Sequence, residues 1–278
     1  MAAPDFKRAS RSVWERMAAG WDDRHAHFEQ TTRPVTERML ELLDPQAEET
    51  ILDLAAGTGI AGLAAAKAEG EVIVSDFSEA MVEAAARQAA ALGLSNVTCR
   101  VLDAEALDLA DRSVDGVLCR WGYMLMADPT AALRETHRVL RPDGRLSLAV
   151  FGSPERNPWV ALPTAVLRKQ GQMPPPSPGA PGILALCDEQ RLRALLTEAG
   201  FEEIAVERVS FTWRFADPDD YWTFLNDAAG AIAMVIAGLS PDEQAAAREE
   251  IAAGLPSSGP IELEAECLVA AARSQAEP

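Results

Sequence analysis

The chain has 278 residues, 48% of them hydrophobic and 24% charged, which is enough apolar material for a large buried core. Its 25 Lys and Arg stand against 43 Asp and Glu, a formal charge of −18, and a surface that acidic repels nucleic-acid phosphates and anionic lipid headgroups unless a basic patch is set apart. No apolar run approaches the roughly 20 residues of a membrane span, and the N-terminus MAAPDFKRASRSVW lacks the apolar stretch of a secretory signal. Cys99, Cys119, Cys187 and Cys267 form no metal or redox motif, so reduced thiols in a cytoplasmic protein are expected, with no metal.

From residue 34 to 152 the pattern alternates helix and strand. Thr32 and Pro34 open a helix that carries Val35, Met39, Leu42 and Leu43 on one face and stops at Asp44-Pro45. Residues 50–54 (TILDL) read as a short apolar strand running into a glycine-bearing turn and then a long Ala-rich helix. A second strand covers 72–76. Ser78 caps the next helix, which runs to about Leu92 before Gly93 ends it. Strands at 96–102 and 114–120 follow, then an amphipathic helix at 130–140 that Asp128 caps, with Leu133, His137 and Leu140 on one side. Arg141-Pro142-Asp143-Gly144 turns the chain into a strand at 145–151. Strands separated by helices of this length pair in parallel through right-handed crossovers.

Beyond Gly152 the texture changes. Residues 171–182 (GQMPPPSPGAPG) form a surface loop or hinge. A helix at 188–199 closes at Gly200, long strands cover 201–215 and 261–271, and 218–255 holds two or more helices between them. The expected fold is α/β, a doubly wound and mostly parallel seven-stranded sheet of the Rossmann-like type.

The stretch Ile51-Leu52-Asp53-Leu54-Ala55-Ala56-Gly57-Thr58-Gly59-Ile60-Ala61-Gly62 places a small-residue turn between a strand and a helix, where main chain can approach a ligand closely. Gly57, Gly59 and Gly62 also match a dinucleotide fingerprint, a weak signal alone. Three acidic neighbours separate the readings. Asp53 in the strand repels a pyrophosphate but favours a ligand carrying an ammonium and a sulfonium. Asp76, at the tip of the second strand, is placed to accept hydrogen bonds from both hydroxyls of a ribose. Asp103-Ala104-Glu105 follows the third strand, where a carboxylate accepts from an adenine amino group and the Ala104 N–H donates to a ring nitrogen. As mere helix caps and turn residues, three strand-tip carboxylates around one turn would be a coincidence. The ligand is nucleoside-like, cationic and free of phosphate.

With ILDLAAGTG, VIVSDFSEAMVEAA, DAEALDLADRSVDGVLCRWGYM and ALRETHRVLRPDGRLSLAVF in this order and spacing, residues 34–152 resemble the class I S-adenosylmethionine-dependent methyltransferases, in particular the branch of ubiquinone and menaquinone biosynthesis. The resemblance implies S-adenosyl-L-methionine as cofactor. It puts Asp53, Ala55, Gly57, Thr58 and Gly59 at its methionine end with Arg120 close by, Asp76 on the ribose, Phe77 and Met81 beside the adenine, and Asp103 with Ala104 on the adenine, next to Glu105 of the same acidic tip. It also implies an N-terminal lid over 1–33, with Trp21 covering the cofactor, a core over 34–152, and a C-terminal part over 153–278 that completes the sheet and bears a helical cap at about 217–256. Two positions depart from the pattern. Ala55 stands where the family has glycine, which alanine can replace if φ is negative, and Asp143 precedes Gly144 where Gly-Gly is usual.

The implied reaction is direct displacement at the sulfonium methyl, with alignment and exclusion of water as the protein's main contribution. Candidates for proton transfer are His25, His27 and Tyr123, although a hydrogen-bonded surface pair is the plainer reading of the two histidines. Trp121 and Tyr123 after strand four, and Trp222 in the aromatic-rich cap, are candidates for the wall of a small apolar or aromatic acceptor. Rival readings are a nicotinamide-dependent oxidoreductase, disfavoured by Asp53 and Asp103-Ala104-Glu105, a protein or RNA methyltransferase, and a cofactor-binding protein that runs another reaction or none. The acceptor atom and the oligomeric state stay open.

Overall fold

A strand covered by helices on both faces has no polar side, and the central runs of this chain read that way. They form β1 (Thr50–Leu54), β2 (Glu71–Asp76), β3 (Val97–Val101), β4 (Val114–Arg120) and β5 (Leu140–Phe151), all parallel. In this computed structural model, which describes residues 3–68, 70–175, 177, 179–256 and 259–275, β6 (Phe201–Phe215) and β7 (Ile261–Ser274) complete a seven-stranded sheet. The order is β3-β2-β1-β4-β5-β7-β6, with β7 antiparallel to both neighbours. The chain steps outward from β1 to β3 and then returns to lay β4 against the other side of β1. That reversal opens a crevice beyond the carboxyl ends of the two central strands.

Local signals set most boundaries. Ser78 accepts the Met81 N–H at the start of α4 (Glu79–Ala91), Asp128 accepts the Ala131 N–H at α5 (Pro129–Val139), and Asp188 accepts the Arg191 N–H at α7 (Glu189–Glu198). Each such cap contributes about 1 kcal/mol. The inserted cap is three helices, α8 (Pro218–Ala228), α9 (Ala231–Ala237) and α10 (Pro241–Ala253).

Several elements differ from their expected form. The N-terminal segment is helical throughout its described part, as α1 (Ala3–Asp23) and α2 (His25–Leu43), so Pro34 lies inside α2 rather than opening it. An interior proline costs about 3 kcal/mol. The buried Phe28, Val35, Met39 and Leu43 of α2, at roughly 1.5–3 kcal/mol each, outweigh it. The Ala-rich helix is short, α3 (Ile60–Ala65), and tightens into a 3-10 turn at Ala66–Ala68. A helix that sequence pattern did not mark, α6 (Pro158–Lys169), follows β5. Strand β5 begins at Leu140, five residues before the expected strand at Arg145, with a register break where the turn at 141–144 falls. Residues 171–182 hold no helix or strand among those described, and 176 and 178 lie outside the described residues, as do 1–2 of the expected lid and 257–258 and 276–278 of the C-terminal part. Among the described residues no helix is long and apolar enough to cross a membrane.

Candidate active site

Loops leaving the carboxyl ends of β1 to β5 surround a cavity with about 1230 Å³ of empty space, open solvent at its mouth included. Ala55 to Gly57 follow β1, Asp76 and Phe77 end β2, Asp103 to Glu105 follow β3, and Arg120 to Gly122 follow β4. Helix α1 roofs the cavity with Phe6, Lys7, Ser10, Trp14 and Trp21. Phe151, Trp159, Trp213 and Phe224 wall its far end.

At the polar end the backbone does much of the shaping. Gly57 and Gly59 have φ of +56° and +88°, in the left-handed region that glycine enters without penalty. Ala55 also lies there, at +53°, so the alanine is accommodated at a cost of about 1–2 kcal/mol rather than by a negative φ. The Gly57 N–H donates to Asp76 Oδ2 at 3.0 Å and the Ser78 N–H to Oδ1 at 2.9 Å. Burial nevertheless pushes the Asp76 carboxyl up to about 6, against the pull of those hydrogen bonds. Each oxygen keeps a further acceptor site. Phe77 and Met81 line the same end. Asp103 and Glu105 share the Lys7 ammonium, at 2.8 and 3.0 Å, and Glu105 also accepts the Ala127 N–H. Helix α1 is tied down further along, where the Glu15 carboxylate accepts the Glu79 and Ala80 N–H groups at the start of α4 and Asp22 pairs with Arg87.

Behind the turn lie Asp53, Thr58, Gly59 and His25, none of which lines the cavity. Asp53 is fully buried; its Oδ2 accepts the Gly62 N–H at 2.6 Å, its Oδ1 has no partner, and burial pushes the carboxyl up to about 7. Gly62 must lack a side chain, since a Cβ would sit 2.8 Å from both Asp53 Cβ and Oδ2. His25 Nδ1 shares a 2.9 Å hydrogen bond with the Thr58 hydroxyl, and burial lowers its basicity. These residues support the turn from below.

Three more expected site residues lie off the cavity. Tyr123 is buried with its hydroxyl bonded to that of Thr136 on α5, at 2.7 Å, and burial raises its pKa well above the usual phenol value. His27 packs near Trp213 and Phe215, ring centroids 6.1 and 6.5 Å away, where burial lowers its basicity. Trp222 is half-buried on the flank of α8. Helical spacing turns Trp222 away while its neighbours Tyr221 and Phe224 go inward.

At the tip of β4, the buried Arg120 donates to the Thr32 hydroxyl and lies 4.5 Å over the Trp121 ring. Burial lowers its pKa to about 10, and Asp53 resists that shift. Trp121 sits at φ +65°, a rare conformation for a bulky residue, with its ring stacked on Phe151 at 4.7 Å and its Nε1–H donating to Cys267 Sγ. The next residue has to be glycine. A Cβ on Gly122 would meet Cys119 Sγ at 2.6 Å and Ala55 Cβ at 2.7 Å. Sequence reasoning missed Lys7, Ser10 and Trp14, although their spacing of three and four residues, continued seven on at Trp21, marks one helix face. No pattern in the sequence marked Phe151 and Trp159, which reach the cavity from separate elements.

The polar end thus offers three carboxylates and a closely approachable main chain, a donor set that suits a cationic, hydroxyl-bearing nucleoside and repels a pyrophosphate. Residues 51–144 match a family described as a methyltransferase domain. The ubiquinone/menaquinone biosynthesis C-methyltransferase of Rubrivivax gelatinosus is 33% identical over 186 residues, 63% of this chain and 71% of that protein. Nocamycin O-methyltransferase of Saccharothrix syringae is 29% identical over 266 residues, covering 90% of this chain and 92% of the relative. Among solved structures, a putative methyltransferase from Bacillus halodurans superposes with a TM-score of 0.61 at 18% identity, over 86% of this chain and 98% of the other.

Proposed function

The chain belongs to the S-adenosylmethionine-dependent methyltransferase family, and from that premise we propose that it methylates a small, largely apolar or aromatic acceptor held between the tip of β4 and the helical cap. One observation carries this reading. The cavity that holds the three carboxylates continues into a wall of Trp121, Phe151, Trp159, Trp213 and Phe224. Such a wall gains affinity from apolar burial, about 25 cal/mol per Å², and orients its ligand with few polar groups.

S-adenosylmethionine supplies a methyl group already activated by the positive charge on sulfur. The protein's task is placement and exclusion of water. In this reading Asp76 accepts the ribose hydroxyls, Phe77 and Met81 pack on the adenine, Asp103 to Glu105 face its edge, and the Ala55–Gly57 turn lies along the methionine part. Asp53, Thr58 and Gly59 hold that turn in shape from behind. Residues 1–33 act as a lid through Trp14 and Trp21, 34–152 as the cofactor core, and 153–278 as the part that builds the acceptor wall. The names of the two relatives point to carbon or oxygen as the accepting atom. The charge of −18 argues against nucleic-acid substrates, and four free thiols accord with a cytoplasmic enzyme.

Labelled S-adenosylmethionine with a panel of quinols, phenols and amines tests the reading. Trp121→Ala is expected to cut methylation of a small acceptor while S-adenosylhomocysteine binds nearly as before, and Trp222→Ala to leave both intact. Label found only in protein or RNA, or full activity in Trp121→Ala, would sink it.

A further inference from the structure

Five ionisable side chains line the cavity among the described residues, namely Lys7, Asp76, Asp103, Glu105 and Arg120. The first four are engaged at the polar end, with one another or with backbone N–H groups. Arg120 is different. It is 9% exposed, donates to the Thr32 hydroxyl, stacks over Trp121, and has no carboxylate within ion-pair distance among the described residues. Asp53, whose charge it feels, faces Gly62 behind the turn. Among the described residues no further hydrogen-bond partner takes the remaining guanidinium N–H groups, and Arg120 lines the cavity. A guanidinium held in place with donors to spare is suited to an oxyanion, where charge-assisted hydrogen bonds are roughly twice as strong as neutral ones.

Among the described residues the same cavity offers no free base beside the aromatic wall. Neither His25 nor His27 lines it, and the three carboxylates lie at the far end from the aromatic wall. A neutral nucleophile that must lose a proton there has no group to take it. A protonated amine would meet Arg120 with no carboxylate beside the aromatic wall to offset the repulsion.

We propose that Arg120 selects an acceptor that enters already ionised, a phenolate, enolate or carboxylate, and holds its oxyanion next to the methyl to be transferred. This rests on the small-acceptor reading above and narrows it to oxygen acids. Written for oxygen, the step balances without a base. The oxyanion's lone pair forms the new oxygen–carbon bond while the carbon–sulfur bond breaks and its electron pair stays on sulfur, so the two opposite charges cancel. The proton has left to bulk water before the acceptor binds.

The probe is 4-nitrophenol, whose phenolate absorbs in the visible, with 4-nitroanisole as its uncharged counterpart, added to the S-adenosylhomocysteine complex at mildly alkaline pH. Wild type is expected to bind the phenolate in preference to the anisole. Arg120→Met should weaken phenolate binding roughly ten- to hundredfold, the worth of a charged hydrogen bond, with little change for the anisole. Arg120→Lys should retain part of the preference, and it keeps the test alive if the Met variant fails to fold. The proposal is overturned if wild type does not bind the phenolate or binds both probes alike, or if the preference survives in Arg120→Met. It is also overturned if Arg120 variants lose affinity for S-adenosylhomocysteine but not for 5′-methylthioadenosine, which would give the guanidinium to the cofactor's own carboxylate. Phenolate bound through Arg120 without methylation of any small acceptor would instead count against the small-acceptor reading alone.

Discussion

The two ends of the cavity are built by different means. The polar end is made from strand tips that a parallel sheet fixes side by side, and its working groups are backbone N–H groups and carboxylates held by short, directional hydrogen bonds. The apolar end is made from rings contributed by α2, β5, α6, β6 and α8, packed at centroid distances such as 5.7 Å for Trp159 and Trp213 and 5.1 Å for Trp213 and Phe224. Directional groups tolerate almost no change, because one misplaced atom leaves a buried donor unpaired. A wall of rings tolerates changes of shape so long as volume is kept. In the proposed reading the polar end holds the cofactor, while the wall is the part of this scaffold free to differ in what it accepts.

The largest expected effect breaks the apolar end through its central ring. Trp213 is 1% exposed and touches Phe28, Trp159, Phe211, Phe215 and Phe224. Trp213→Ala is expected to lower unfolding stability by about 3–5 kcal/mol in denaturant titration. Trp213→Phe should cost much less, since it keeps a ring and discards an indole N–H that has no acceptor. Equal losses in the two variants would mean that the wall depends on directional contacts as the polar end does.

That contrast also explains what was legible in the sequence. Strand tips carry their chemistry in local order, so Asp76, Asp103 and the turn at 55–57 could be placed on one crevice from the sequence, and they line the cavity, while β1, β4 and β6 have the expected bounds. The wall could not be read in the same way, because Phe28, Trp159 and Phe224 meet only through tertiary packing. Trp222 was a candidate because the cap is rich in aromatics, and it lies one residue out of phase with the inward face of α8. Tyr123 and the two histidines were chosen for their chemistry, and packing had already assigned them elsewhere. Proline rules mislaid the start of α2 because the apolar stripe of that helix outweighs its interior proline.

A smaller change tests the polar end. In Asp76→Asn one backbone N–H, of Gly57 or Ser78, faces an amide NH₂ instead of an oxygen. S-adenosylhomocysteine affinity measured by calorimetry should fall by about 1.5–3 kcal/mol. A pH dependence follows from the carboxyl sitting at about 6. Wild-type affinity should decline as pH drops through that value, since a protonated acid accepts the ribose hydroxyls less well. Stability without cofactor runs the other way. A carboxyl raised on folding contributes stability that is complete below its ordinary value and lost as pH climbs through about 6. The difference in melting temperature between wild type and Asp76→Asn should therefore shrink from acid to neutral pH. Unchanged affinity in the variant would remove Asp76 from the cofactor site.

The smallest expected effect concerns the roof that spans both ends. Helix α1 touches the polar end through Lys7 and the aromatic side through Trp14 and Trp21, with the Trp21 ring stacked on Phe28 at 4.3 Å. Its ties to the core are partly exposed ion pairs and a carboxylate cap from Glu15. Pairs of that kind contribute only about 0–1 kcal/mol each, so the helix is expected to open without the rest of the molecule unfolding. Bound S-adenosylhomocysteine adds contacts that exist only in the closed form, and limited proteolysis within residues 14–28 should slow in its presence. Lys7→Ala removes the ammonium shared by Asp103 and Glu105, and should speed cleavage of the cofactor-free protein severalfold, as the loss of about 1 kcal/mol implies. If cleavage is equally fast with and without ligand, α1 is a fixed wall of the cavity and not its lid, and the polar and apolar ends do not close together.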